Sequence, residues 1–192
     1  MIDVELAIGP EWDTNIFGQN HIEKAVDAAV KFAGLPGLAD YPSPVEVSVK
    51  LSNNDEVQTL NRQWRDKDQP TNVLSFPSLD DDELNQFRHP EVISGSYSFT
   101  DAEKSKILKL VQHDGQMELL LGDIILAHGV CAEEAAEKGI PLADHTTQLV
   151  IHGMLHLLGY DHIDDDDAEQ MEALEVKALA SMGLHNPYDG DI

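Results

Sequence analysis

His152-Gly-Met-Leu-His156-Leu-Leu-Gly159-Tyr-Asp-His162 is the stretch on which the reading of this chain turns. Two histidines four residues apart on a helix lie about 40° apart around the axis and about 6 Å apart along it, so both imidazoles reach one cation. Gly159 can take the left-handed conformation that ends a helix, which turns the chain back and delivers His162 to the same point. Three neutral imidazoles suit a borderline-soft ion such as zinc, and three protein ligands leave a fourth tetrahedral position for water. The spacing is that of the long zinc-peptidase signature H-E-x-x-H-x-x-G-x-x-H, except that the glutamate position is Gly153. In the peptidases that glutamate takes a proton from the metal-bound water. Gly153 accepts nothing, so the ligand set is present without the usual base, and its missing side chain reads as room for a bulky phosphate.

Outward from this stretch, Leu142 to Leu158 is apolar nearly all round its C-terminal half, the pattern of a central buried helix. A helix over Ala127 to Lys138 precedes it, and Glu118 to Ala127 before that is an apolar strand. Asp164 to Met182 reads as the last helix, with its four leading aspartates at the positive end of the dipole. Towards the N-terminus, Ile2 to Ile8 and Val45 to Leu51 alternate as strands, and Asn20 to Gly34 is an amphipathic helix. Ser52 to Asn54 offers caps for a helix through Leu60 and Trp64, broken by Pro70. Val73 to Phe76 is a short strand closed by Pro77. Ser78 to about Gln116 carries an acidic run and no sustained apolar period, so it reads as a long surface insertion holding one short helix, Asp101 to Val111. With no repeat or linker, the expectation is one domain over 1–192 with a surface insertion at about 78–116.

Composition narrows the function. A chain of 192 residues fits one domain. The single Cys131 excludes internal disulfides and fits a reducing compartment. No apolar run approaches the roughly 18 residues of a membrane span, and the N-terminus lacks a signal-peptide pattern, so the cytoplasm is expected. The net charge of −24 argues against nonspecific nucleic-acid binding. Charge acts locally, however, within about 8 Å at physiological salt. The acid gathers in Asp80 to Glu83, Asp164 to Asp167 and the Asp189/Asp191 tail, while Lys50, Arg62, Arg65 and Lys67 form a basic group.

Three blocks together resemble the YbeY family of metal-dependent endoribonucleases, the rRNA maturation factors. They are Leu60-Asn-Arg-Gln-Trp-Arg65-Asp-Lys67-Asp68-Gln-Pro70-Thr71-Asn72-Val-Leu-Ser75-Phe76-Pro77, then Leu121-Gly122-Asp123-Ile124-Ile125, then Val150 through His162, in the family's order. The resemblance implies a zincin-like α+β fold, a small mixed sheet packed by helices with a central metal-ligand helix. It implies cleavage of single-stranded RNA, maturation of the 16S rRNA 3′ end on the small ribosomal subunit, and a role in ribosome quality control. It matches His152, His156 and His162 to the metal ligands, with one zinc per chain, and Arg65 to an active-site arginine. Two departures stand out: the insertion is long, and Gln148 occupies a place where some relatives have another histidine.

Phosphodiester cleavage needs a nucleophile and positive charge beside the nonbridging oxygens. A three-histidine ion acidifies water, and the planar fork of Arg65 matches phosphate. Without a glutamate base, either the ion alone activates water or the RNA's own 2′-hydroxyl attacks. Arg65 is otherwise a surface residue of an amphipathic helix. Asp161 either orients a ligand imidazole or ends the helix, and His145 either lines the cleft or packs inside. Asp123 and Ser75 border the cleft or cap strands. Trp64 and Phe76 are expected in the core rather than stacked on bases, and Cys131 is a small core residue. Two other functions fit the ligands: a metallopeptidase or other metallohydrolase, disfavoured by Gly153, and a noncatalytic zinc-containing assembly factor whose fourth ligand is Asp161 or Asp164.

Overall fold

Val45, Val47, Val49 and Leu51 point one way and their polar neighbours the other, which makes β2 (Val45–Ser52) a half-buried strand in the middle of a sheet. The computed structural model describes residues 2–39, 41–88, 110–113 and 116–189. Around β2 the elements run β1 (Asp3–Ile8), α1 (Gln19–Phe32), α2 (Pro36–Ala39), β2, α3 (Asn54–Arg65), β3 (Val73–Pro77), α4 (Asp81–Arg88), β4 (Leu110–His113), β5 (Gln116–Ala127), α5 (His128–Lys138), α6 (Leu142–Leu157) and α7 (Asp165–Ser181). The sheet is mixed, in order β1-β2-β5-β3, with β4 on β5 beside it. β1 and β5 run parallel to β2, whereas β3 and β4 run antiparallel to β5. The pairing of β2 with β5 slips one residue between Glu46 and Val47, whose partners are Leu120 and Gly122. Gly122 has φ 142°, and a Cβ there would fall 2.3 Å from the Phe76 carbonyl oxygen, so only glycine fits this bulge.

The period of two along β5 divides the interior. Leu119, Leu121, Ile124 and Leu126 join the main core with α1, α6 and α7, while Ile125 and Ala127 join Val57 of α3 and Leu74 of β3 in a smaller cluster. α6 is buried nearly all round, from His145 to Leu157, and packs on β3 and β5. It is the central helix that its apolar pattern implies, and the fold is the expected α+β arrangement.

The surface insertion expected over 78–116 is corrected at both described ends. Leu79, Leu84 and Phe87 are core residues, and α4 packs on α2. The acidic run is a helix start: the Asp80 carboxylate accepts the Glu83 N–H and the Glu83 carboxylate accepts the Asp80 N–H, a reciprocal cap. At the far end, β4 extends the sheet. Of the helix expected over Asp101 to Val111, residues 101–109 lie outside the described residues, and Leu110 and Val111 belong to β4. Nor does Pro70 end α3, because the helix already stops at Asp66, with φ 56°.

Candidate metal centre

α6 carries His152 and His156 on the side that faces away from its buried apolar stripe. Gly159, at φ 81°, reverses the chain after it, and the N–H groups of Gly159 and Tyr160 return to His156 and Leu155 carbonyls. Tyr160 then pins the turn to the end of α1 by donating its hydroxyl to the Ala33 carbonyl at 2.6 Å. The result brings His162 beside the other two imidazoles, and one ligand atom from each of the three lies within 4.8 Å of the rest. The Nε2 atoms of His152 and His156 are 3.1 Å apart. Bonds of about 2.0–2.1 Å to a tetrahedral zinc hold its ligands roughly 3.3–3.4 Å apart, so this pair already has the spacing. His162 stands on an exposed loop.

The ligands are set from behind. His156 Nδ1 faces the Tyr160 carbonyl at 3.0 Å, which as an acceptor fixes the proton on Nδ1 and leaves Nε2 bare. Burial, together with the neighbouring His152 and His162, lowers the His156 pKa to about 4, so the imidazole is neutral and ready for a cation. Asp161 is 3.9 Å from His156 Nδ1, and its carboxylate accepts the His162 backbone N–H at 2.8 Å, so it shapes the turn first. His152 Nδ1 faces a residue that the sequence reading missed, Glu175 of α7, at 3.5 Å.

A cleft of about 840 Å³ opens over the three histidines, and Arg65, Asn72, Ser75 and Arg88 line it. Arg65 ends α3, exposed, and no described carboxylate pairs with it. Two other members of the basic group are neutralised: Lys50 by Glu56 at 2.6 Å and Arg62 by Asp68 at 3.6 Å. Arg88, also missed, lies at the C-terminal end of α6, with Nη2 3.5 Å from the Leu158 carbonyl and the guanidinium 5.1 Å from the Tyr160 ring centre. Its buried Nε has no partner among the described residues.

Gly153 does not provide the room expected for phosphate. A Cβ there would sit 2.9 Å from Ser75 Oγ and 3.0 Å from Ile124 Cγ2, because the glycine lets α6 press against the sheet. Trp64 is not in the core: it is 65% exposed, 6.2 Å from the half-buried Phe76 ring, over a separate groove that Asp123 also lines. His145 is buried away from the main cleft, with Nε2 2.7 Å from Glu134 and Nδ1 3.3 Å from the Gln148 amide oxygen. Cys131 is buried, and burial pushes its thiol up to about 12.

The family model for endoribonuclease YbeY matches residues 11–183, which span every described element except β1. The chain belongs to the YbeY family. Endoribonuclease YbeY of Rhizorhabdus wittichii is 45% identical over 188 residues, 98% of this chain and 97% of the relative. That of Sphingopyxis alaskensis is 44% identical, again over 98% of each chain. A Thermotoga maritima protein solved in solution matches 98% of this chain and 96% of its own at 23% identity, with a TM-score of 0.49. The zincin-like α+β fold is the YbeY fold, and a three-histidine group able to bind a metal sits at its centre.

Proposed function

We propose that this chain is a zinc-dependent, single-strand-specific endoribonuclease that matures the 16S rRNA 3′ end and serves ribosome quality control in the cytoplasm, with the small ribosomal subunit as partner. The reading refines the RNA-hydrolysing character of the YbeY family. The observation that supports it most is a single cleft in which three converging imidazoles stand with an arginine that no described carboxylate pairs, and with no carboxylate at position 153. No described helix is long and apolar enough to cross a membrane.

In this reading His152, His156 and His162 hold one zinc. When bound, the ion supplies a Lewis acid for a phosphoryl oxygen, lowers the pKa of a water towards about 7, and turns positive a cleft where two arginines face Asp81, Asp161 and Asp167. Arg65 places its fork on the nonbridging oxygens of the scissile phosphate, and its exposure at a helix end lets it follow the phosphate during reaction. Arg88, anchored to the turn that carries His162, lines the same cleft and offers its guanidinium to a neighbouring phosphate. The buried neighbours of α6 keep the two helical imidazoles in one orientation. Trp64 lines a separate groove and two arginines line the cleft, so strand recognition there is by backbone charge.

One preparation assayed on single-stranded RNA, duplex RNA and casein, with and without a chelator, tests this. Chelator-sensitive cleavage of the single strand alone is expected. Chelator-sensitive proteolysis without RNA cleavage would establish the peptidase alternative instead.

A further inference from the structure

Behind His152 lies a small polar pocket of about 180 Å³, open to solvent on one side and lined in part by Lys138, His145, Gln148, Glu175 and Tyr188. Glu175 is 1% exposed, on a face of α7 otherwise made by Met171, Ala178 and Leu179. An ionised carboxylate is costly in such a place unless it is paired. No lysine or arginine pairs with it among the described residues. Its Oε2 accepts the Tyr188 hydroxyl at 2.5 Å and lies 3.5 Å from His152 Nδ1, while Oε1 is buried without a described partner. As a core residue, leucine or methionine would serve better at 175. The carboxylate therefore needs a reason beyond packing, and the one imidazole beside it among the described residues, His152, is a metal-ligand candidate.

We propose that Glu175, held by Tyr188 of the C-terminal segment, is the positioning residue for His152: it accepts the Nδ1–H and so turns a bare Nε2 towards the metal. This rests on the reading of the three histidines as metal ligands. A small rotation of the ring shortens the 3.5 Å contact to a hydrogen bond. The two helical ligands are then oriented by different acceptors, His156 by the neutral Tyr160 carbonyl and His152 by a carboxylate, which also raises the basicity of its imidazole. Tyr188 is itself set by a turn in which Asn186 accepts the Tyr188 N–H at 3.0 Å and donates to Asp189 at 2.9 Å. Burial and the Glu175 carboxylate push the Tyr188 phenol up, so it remains a donor. Metal affinity is in this way tied to the chain beyond α7, none of whose described residues lines the cleft.

The test uses the full chain and four proteins: wild type, Glu175→Ala, Glu175→Gln and Tyr188→Phe. Zinc affinity is read by competition with a chromophoric chelator, and the His152 tautomer of the metal-free protein by ¹⁵N shifts of the imidazoles. Glu175→Ala should weaken zinc binding by about 10- to 100-fold and spread His152 over both tautomers. Glu175→Gln keeps an acceptor oxygen without the charge and should recover part of the loss. Tyr188→Phe, at a partly exposed position where folding is not at risk, should weaken binding several-fold and decides the matter if Glu175→Ala does not fold. Unchanged affinity and unchanged His152 shifts in the folded variants would overturn the inference alone. A wild type that takes up no zinc would overturn the metal reading and this inference with it.

Discussion

The two walls of the cleft are built to different standards. On one, His152 and His156 rise from a helix buried almost all round, with the Tyr160 carbonyl 3.0 Å behind the His156 ring and the Glu175 carboxylate 3.5 Å from His152 Nδ1. On the other, Arg65 ends α3 in solvent and His162 rides an exposed loop. The difference separates two tasks: metal ligands gain from rigidity, because a misplaced imidazole loses its bond, whereas a group that follows a phosphate through reaction gains from freedom. Changes on the rigid wall should therefore act most on metal content and stability; on the free wall, a change at His162 should cost less metal and a change at Arg65 should act on rate alone.

The largest effect should come from His156→Ala. The folded variant should lose nearly all of the one zinc per chain, and with it chelator-sensitive RNA cleavage, as metal analysis and an assay would read. His162→Ala should lose less, since its ring is exposed and water can take its place; equal losses would erase the contrast between the walls. Next is Gly153→Glu, which restores the peptidase signature on paper. The side chain would have to enter the contact with Ser75 and Ile124, so it should cost several kcal/mol of stability, on the scale of overpacking plus an unpaired buried charge. A denaturant melt like that of wild type would mean α6 does not press on the sheet as described.

Legibility in the sequence followed the same contrast. The ligand helix, the strands around it and the turn at Gly159 were readable because each rests on local spacing: a period of 3.6, a period of two, and a glycine where φ turns positive. What Gly153 touches is a tertiary fact, and its missing side chain looked like open space. Glu175 was hidden among the acids of α7, where only its place four residues after the buried Met171 hinted at an inward face. The run from Asp80 to Glu83 looked like solvated charge because a reciprocal cap and a surface run have the same composition, and that concealed both α4 and Arg88. Trp64 erred in the other direction: large aromatics mostly fill cores, but at the end of a short helix this one faces solvent.

On the free wall, Arg65→Ala should cut RNA cleavage by a factor of roughly 10² to 10³, the scale for one positioned charge donor, with zinc content unchanged. Arg65→Lys should recover only part, since it lacks the fork. Full activity in the alanine variant would return Arg65 to an ordinary surface role. The smallest effect concerns pH in the metal-free protein. The folded His156 has its pKa lowered from 6.5 to about 4, so the unfolded chain binds more protons between those values. The stability that this neutral imidazole contributes is present above pH 6.5 and is lost as pH falls towards 4. The margin of wild type over His156→Asn should narrow across that window, and a margin that widened on acidification would contradict the buried, neutral state.

The most direct test of the central claim is a titration of zinc into metal-free protein, with cleavage of a single-stranded RNA followed at each step. The account expects no cleavage without metal, a rise proportional to zinc up to one ion per chain, and a plateau beyond it. Full cleavage by the metal-free protein, or no dependence of rate on bound zinc, would contradict it.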